Sequence, residues 1–574
     1  MLKLLKSLKS YSGIIIIVFI LVFLQSLSDV YLPNLMSDII DKGVVNKDTN
    51  YILNTGFEMI LVTIGGGIAT ILASYFSSKV AMGFGRDLRQ RVFDRVEDFS
   101  HMEFNEIGTA SLITRSTNDI TQVQQVVMVM LRMMLYAPMV AIGATIMAIR
   151  KDGQLSLVIL AAMPILIISI GLILKRAVPL FKSMQKRVDT LNRVLRENLI
   201  GVRVIRVFNK VEIERKRFKK SSLDLSEVAT KANRTITLLM PLMMLVVNIS
   251  IIAVVWFGGI RIDAGRMQVG DLIAFIQYLS QIMFALMMLS MMFVMIPRAS
   301  ASADRINEVL DIEKVLMDRD NPIKETDLKG YVEFKNVSFS YEENSEKILS
   351  NISFISKPGE TTAIIGGTGS GKSTLIKMIP RFFDATEGEI LIDGVNVVDF
   401  DQHTLRSKIG YVPQKAMLFS GTIAENLRYG KEDATEEELI HCMDIAQAIG
   451  FVSKMEKGVN SVIAQGGTNV SGGQKQRLSI ARALVKKPEV YIFDDSFSAL
   501  DFKTDATLRK ALSNETKNAT VIIVAQRVST VMEADNIIVL DDGKIAGIGN
   551  HDQLLKNCGI YKEIVLSQLS KEEV

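Results

Sequence analysis

Six apolar runs of about twenty residues dominate the first half of the chain, at 14–36, 56–78, 126–149, 154–175, 238–260 and 271–296, and roughly twenty is the length a helix needs to cross a hydrocarbon core. Between the second and third runs, and again between the fourth and fifth, lie long polar stretches with helical periodicity, 79–125 and 176–237. The other joins are short, such as Arg150-Lys151-Asp152-Gly153. Past residue 330 the pattern changes. Strand-like runs at 331–341, 361–365, 490–493 and 520–524 alternate with helical segments, the signature of an α/β layer with a largely parallel sheet. The charged stretch 318–329, with Pro322 inside it, reads as a linker. The chain is therefore expected to be multidomain: an all-α six-helix transmembrane domain over 1–317, the linker 318–329, and an α/β domain over 330–574.

Composition sharpens this reading. The 574 residues are 48% hydrophobic yet 22% charged, a pairing explained by the uneven distribution between the two halves. A formal net charge of +4 is small for this length and gives no case for a nucleic-acid partner. Cys442 and Cys558 both lie in the polar half without metal or disulfide spacing, which fits a reducing compartment. Lys3, Lys6 and Lys9 precede the first apolar run as they would in a signal peptide, but the run continues past Leu24 without a small-residue cleavage site. It is read as an uncleaved first span. Arginine and lysine crowd the long connections, as at Arg86, Arg89, Arg91 and Arg95 and between Lys182 and Lys220. Local positive charge belongs on the cytoplasmic side. The expectation is a multi-pass protein of the inner (cytoplasmic) membrane, with both termini, both long connections and the α/β domain inside.

The chemistry begins at Gly366-Gly367-Thr368-Gly369-Ser370-Gly371-Lys372-Ser373, which follows a predicted strand and precedes a helix. Glycines let backbone N–H groups approach phosphate oxygens, Lys372 meets the terminal phosphate charge, and Ser373 is placed to ligate Mg²⁺. This marks the second domain as an α/β P-loop nucleotide-binding domain. The apolar strand 490–493 delivers Asp494, a carboxylate suited to the same metal. Val470-Ser471-Gly472-Gly473-Gln474 opens a basic amphipathic helix and offers further donors at its N-terminus.

Together with Tyr341, Gln414 in Tyr411-Val412-Pro413-Gln414, and Ser498-Ala499-Leu500-Asp501, these segments resemble the nucleotide-binding domain of the ABC transporter family in order and spacing. The six spans ahead of them resemble the exporter arrangement, a fused half-transporter, so the likeness covers nearly the whole chain. It implies that Tyr341 stacks on adenine and that the 366–373 loop with Thr374 holds the phosphates of ATP. It also implies that Ser373, Asp494 and Gln414 hold Mg²⁺. Ser471, Gly472, Gly473 and Gln474 would contact, in trans, the ATP of a partner subunit, and Asp501 would bridge the two sites. Coupling helices would fall near 103–108 and 211–214.

Two positions depart from the family pattern. The catalytic position after the metal carboxylate, normally Glu, is Asp495, and the switch histidine is replaced by Gln526. A carboxylate one methylene shorter retreats by about 1 Å from the attacking water, enough to cost about 10²-fold. Glutamine can hydrogen-bond to a γ-phosphate but carries neither a proton nor a positive charge. Two lesser departures are Val470, where Leu is commoner, and Gln465, where exporters often carry Glu. A degenerate ATP site beside an intact signature resembles the bacterial heterodimeric multidrug exporters. The implied function is ATP-driven export of amphipathic small molecules (drugs or lipids), with a second, non-identical half-transporter supplying Glu and His. A homodimeric exporter and a nucleotide-gated regulatory subunit remain alternatives.

Within the membrane half, Asp29 interrupts an apolar span. A gate or cation-attracting role competes with plain solvation near the interface. Methionines such as Met130, Met133, Met243, Met244, Met287 and Met292 suit an adaptable cavity wall or ordinary helix packing. Pro138, Pro164 and Pro241 are expected to kink their helices.

Overall fold

The computed structural model describes residues 1–312, 316–341 and 345–568, apart from the side chains of residues 290, 291, 293 and 294. It divides into two compact units, one comprising Met1–Asp98 with Asn105–Ile312 and the other Phe99–Phe104 with Glu313–Val574.

The first unit is all helix. Six helical stretches are long and apolar enough to cross a membrane: Leu2–Val44, Thr49–Glu97, Thr109–Lys151, Ser156–Ile200, Val211–Asp263 and Val269–Leu289. They outrun the apolar segments because the polar connections 79–125 and 176–237 continue as helix rather than loop. Leu155, Ile159, Phe275 and Tyr278 lie in the packed centre, with Met243 wholly buried among them, whereas Met133 and Met244 face outward. Pro138 has no N–H to give the carbonyl of Met134, and the chain widens into a π-helical turn over Met130–Met134 just ahead of it. Pro164 lies inside Ser156–Ile200. Pro241 has no N–H to give the carbonyl of Thr237, and the span is interrupted at Leu238, between Val211–Thr237 and Leu239–Asp263.

Spans three and six are tied at one end by polar groups. Buried Asp119 accepts from Ser302 Oγ (2.9 Å) and Arg305 Nε (2.8 Å), and Arg115 pairs with Glu308 at 2.9 Å.

In the second unit the main sheet runs in the order Lys544–Gly549, Asn536–Asp541, Thr361–Gly366, Thr520–Val524, Val490–Asp494, Ile409–Val412. Its last five strands are parallel. They read as near-continuous apolar runs because both faces of a parallel sheet are covered. The exception, Lys544–Gly549, returns antiparallel through Asp542-Gly543, whose φ values of 43° and 72° suit a tight hairpin. A second sheet pairs Val332–Phe339 with Leu349–Ser356 and Glu387–Ile392, all antiparallel. Phe99–Phe104 packs on this unit: the His101 ring lies 6.3 Å from Phe382 and 6.0 Å from Phe383.

One buried charge organises this unit's interior. Lys408 Nζ donates to Asp393 Oδ2 (2.8 Å), Glu489 Oε2 (2.7 Å) and Thr326 Oγ1 (2.9 Å), and the Asp393 side chain is fully buried. Removing one member of such a cluster strands the others in low dielectric, at about 3–5 kcal/mol. Lys408→Ala is accordingly expected to lower the unfolding temperature of the α/β unit by several degrees in calorimetry. Lys408→Met with Asp393→Asn should recover part of that loss.

Candidate functional site

The strand Thr361–Gly366 lies mid-sheet and ends on Gly366, where a Cβ would run into the carbonyl oxygen of Leu540 on the adjoining strand. The chain turns through Gly369 and Gly371, whose φ values of 87° and 94° glycine reaches without penalty. It then enters the helix Lys372–Met378. Above Gly367 and Gly369 a Cβ would meet only open space. Lys372 Nζ donates back to the carbonyls of Gly366 (2.9 Å) and Gly367 (2.6 Å). Burial holds its pKa below the usual lysine range, and the Asp495 and Asp494 carboxylates pull in the other direction. A partly desolvated cation set in a glycine cradle is an anion site, and the loop geometry fits a polyphosphate.

Beside the loop, Ser373 Oγ donates to Asp494 Oδ1 at 2.9 Å. Tyr411 Oη donates to Asp494 Oδ2 at 3.1 Å, and burial with the adjacent carboxylate drives that phenol well above its ordinary pKa. The phenol therefore stays a donor. A hydroxyl and a carboxylate converging on one point are hard oxygen ligands of the kind Mg²⁺ takes, so these residues fit that ion.

Three neighbouring strands, Ile409–Val412, Val490–Asp494 and Thr520–Val524, end side by side. Just beyond them stand Gln414, Asp495 and Gln526. Asp495 Oδ2 accepts from Gln414 Nε2 at 3.2 Å and from Gln526 Nε2 at 3.1 Å. One carboxylate oxygen is thus clamped between two amides. Asp495 sits at φ 47°, and burial raises its carboxyl pKa, opposed by the Gln414 bond and reinforced by Asp494. Three of the four histidines are engaged elsewhere: His441 on Glu515 (3.3 Å), His551 on Tyr561 (2.8 Å), and His101 against its two phenylalanines.

Ser471 caps the helix Gly472–Val485 in a reciprocal box, with Gln474 N donating to Ser471 Oγ (3.3 Å) and Ser471 N donating to Gln474 Oε1 (2.8 Å). The side-chain oxygens of both are therefore occupied, and the first-turn N–H groups at Gly472 and Gly473 are the donors left facing outward. Asp501 caps Phe502–Glu515 by accepting from Thr504 N (3.0 Å) and Thr504 Oγ1 (2.7 Å), bonds that lower its pKa. Tyr341, 40% exposed, is held edge-on by Phe339 (5.0 Å) and Phe383 (5.4 Å), and its hydroxyl lies 3.1 Å from Thr374 Oγ1. Sequence reasoning assigned no role to Tyr411. Its place three residues before Gln414, on an edge strand beside Val490–Asp494, was the available signal.

A phosphate-cradling loop, a metal-type carboxylate and a glycine-rich helix cap on one α/β unit, carried with six membrane-length helices, define an ATP-driven membrane translocase. Residues 15–286 match the family model of the ABC transporter transmembrane region and residues 349–498 that of the ABC transporter. The chain is 42% identical over 564 residues to an uncharacterized ABC transporter ATP-binding protein, MT1311, of Mycobacterium tuberculosis, covering 98% of this chain and 97% of that protein. It is 30% identical over 577 residues to an ATP-dependent lipid A-core flippase of Chromobacterium violaceum, covering 100% and 97%. Its fold is similar to that of a bacterial Atm1-family ABC exporter solved with ATP bound, with a TM-score of 0.80 at 25% identity over 98% of this chain and 99% of that one. The chain belongs to the ABC transporter family, as an exporter-type half-transporter with fused membrane and ATP-hydrolysing parts.

Proposed function

We propose that this chain is one half of a heterodimeric exporter of amphipathic small molecules, drugs or lipids, and that its own ATP site turns over slowly. The observation that carries the reading is the amide clamp on Asp495: the carboxylate at the catalytic position is short, and both groups touching its outer oxygen are glutamines. Neither amide can relay a proton.

In this reading Tyr341 stacks on the adenine of ATP, while Gly366, Gly367, Thr368, Gly369, Ser370, Gly371 and Thr374 shape the phosphate cradle. Lys372 neutralises phosphate charge. Ser373, Asp494 and the free amide oxygen of Gln414 hold Mg²⁺, which when bound screens the phosphate negative charge. Gly472 and Gly473 with their backbone N–H groups, Ser471 with its hydroxyl and Gln474 with its side-chain NH2 face ATP held by the partner half-transporter, which supplies the Glu and His that this chain lacks. Hydrolysis there resets the pair, and the ATP held here keeps the two ATP-binding units in contact. The assembly sits in the inner membrane with both termini on the cytoplasmic side. The kinship with a lipid A-core flippase supports an amphipathic, lipid-like cargo.

The test is the Mg²⁺-dependent ATPase rate of this chain purified alone in lipid nanodiscs. Turnover close to background is the expected result. Fast, substrate-stimulated turnover by the unmodified chain overturns the proposal in favour of a homodimeric pump.

A further inference from the structure

Asp29 lies inside the apolar helix Ser12–Asp38, half-buried, at a point where spans one, three and six meet. Its Oδ2 accepts from Tyr136 Oη at 2.7 Å, and its backbone carbonyl accepts from Gln281 Nε2 at 2.8 Å. Among the described residues no lysine, arginine or histidine pairs with it, in contrast to the membrane-unit acids Asp119, Asp152 and Asp271, which do have cationic partners. An acid in a membrane span without a counter-charge calls for an explanation, because the ionised form is costly there unless something compensates it.

A further group at this level lacks a partner. Gln281 spends its nitrogen on the Asp29 carbonyl, which fixes the amide orientation and leaves Oε1 buried with no donor. Buried polar atoms are nearly always satisfied, and each exception costs about 1–3 kcal/mol. The site therefore offers a carboxylate oriented by a tyrosine hydroxyl and an unpaired amide acceptor. What complements it is a group with positive charge and N–H donors and no acceptor of its own. A carboxylate or phosphate would meet repulsion from Asp29, and an uncharged alcohol would leave the charge uncompensated.

We propose that Asp29, Gln281 and Tyr136 form a recognition site, within the membrane-spanning unit, for the protonated amine of an amphipathic substrate. The inference deepens the exporter reading above by naming a substrate class. The ammonium donates to Asp29 and to Gln281 Oε1, while the apolar remainder lies along the surrounding span faces. The arrangement selects cationic amphiphiles over anionic ones of similar shape.

The test is equilibrium binding of tritiated verapamil, a lipophilic tertiary amine protonated at neutral pH, to the full chain in nanodiscs without nucleotide. Tritiated progesterone, apolar and uncharged, serves as the comparison. The native chain is expected to bind verapamil saturably. Asp29→Asn should weaken it at least tenfold, Asp29→Glu should retain most of it, and progesterone binding should be the same in all three. Gln281→Met, which removes the acceptor while keeping charge and approximate volume, should weaken verapamil severalfold and guards against a folding defect at Asp29. Equal verapamil affinity in native, Asp29→Asn and Gln281→Met chains overturns the proposal, as does the absence of saturable binding by the native chain. Displacement of verapamil by millimolar sodium would also overturn it, by making the site one for inorganic cations. Since no nucleotide is present, a fast ATP site would overturn the degenerate-site reading and leave this result unchanged.

Discussion

Asp495→Glu combined with Gln526→His is expected to raise the ATP turnover of the isolated chain about 10²-fold, the scale associated with a 1 Å correction of a reacting group. At about 1.4 kcal/mol per tenfold, that is close to 3 kcal/mol of barrier. The longer side chain brings the carboxylate back towards the attacking water, and the imidazole restores a donor able to carry charge in the transition state. Each single change should recover only part of this. Glu alone still faces the Gln526 amide, and His alone still meets a short carboxylate. Nucleotide affinity should be nearly constant across the series, because Lys372 and the glycine loop are untouched. A double variant that binds ATP normally and turns over no faster would exclude these two residues as the cause of slow hydrolysis. The residual rate of the unmodified chain carries its own signature. Because burial raises the Asp495 carboxyl pKa, the group protonates, and stops accepting a proton, at a higher pH than an ordinary aspartate. The acid limb of the pH–rate profile should be shifted upward accordingly.

Lys372→Ala is expected to weaken ATP binding by about 10²-fold, judged from the roughly 1.5–3 kcal/mol that a hydrogen bond to a charged group contributes. The residue is 8% exposed and its ammonium is satisfied by the carbonyls of Gly366 and Gly367, so its loss also leaves acceptors turned inward. Lys372→Arg should not rescue binding, since a planar guanidinium needs more width than a loop fitted to a compact ammonium. Isothermal titration with a non-hydrolysable ATP analogue checks both variants. Unchanged affinity in Lys372→Ala would remove the loop from the binding site.

Much of this was legible from sequence because it depends on short spacing. The 366–373 loop, its strand and its helix are contiguous, and hydrophobic run length alone located the six spans. The Asp495 clamp was not legible. Gln414 and Gln526 lie 81 and 31 residues from Asp495, and only the sheet order, which places Val490–Asp494 between Ile409–Val412 and Thr520–Val524, brings the three strand ends together. The Asp29 cluster was hidden for the same reason, its partners lying 107 and 252 residues away.

The left-handed backbone at Asp495, φ 47°, has a bearing on how such a chain can change over generations. Aspartate is among the few non-glycine residues that settle readily into that conformation, whereas a longer, unbranched acid gains no local hydrogen bond there and carries more of the roughly 1–2 kcal/mol steric cost. Loss of hydrolytic reach and gain of backbone ease thus come from a single substitution. A glutamate placed at 495 is therefore expected to cost folding stability that the aspartate does not.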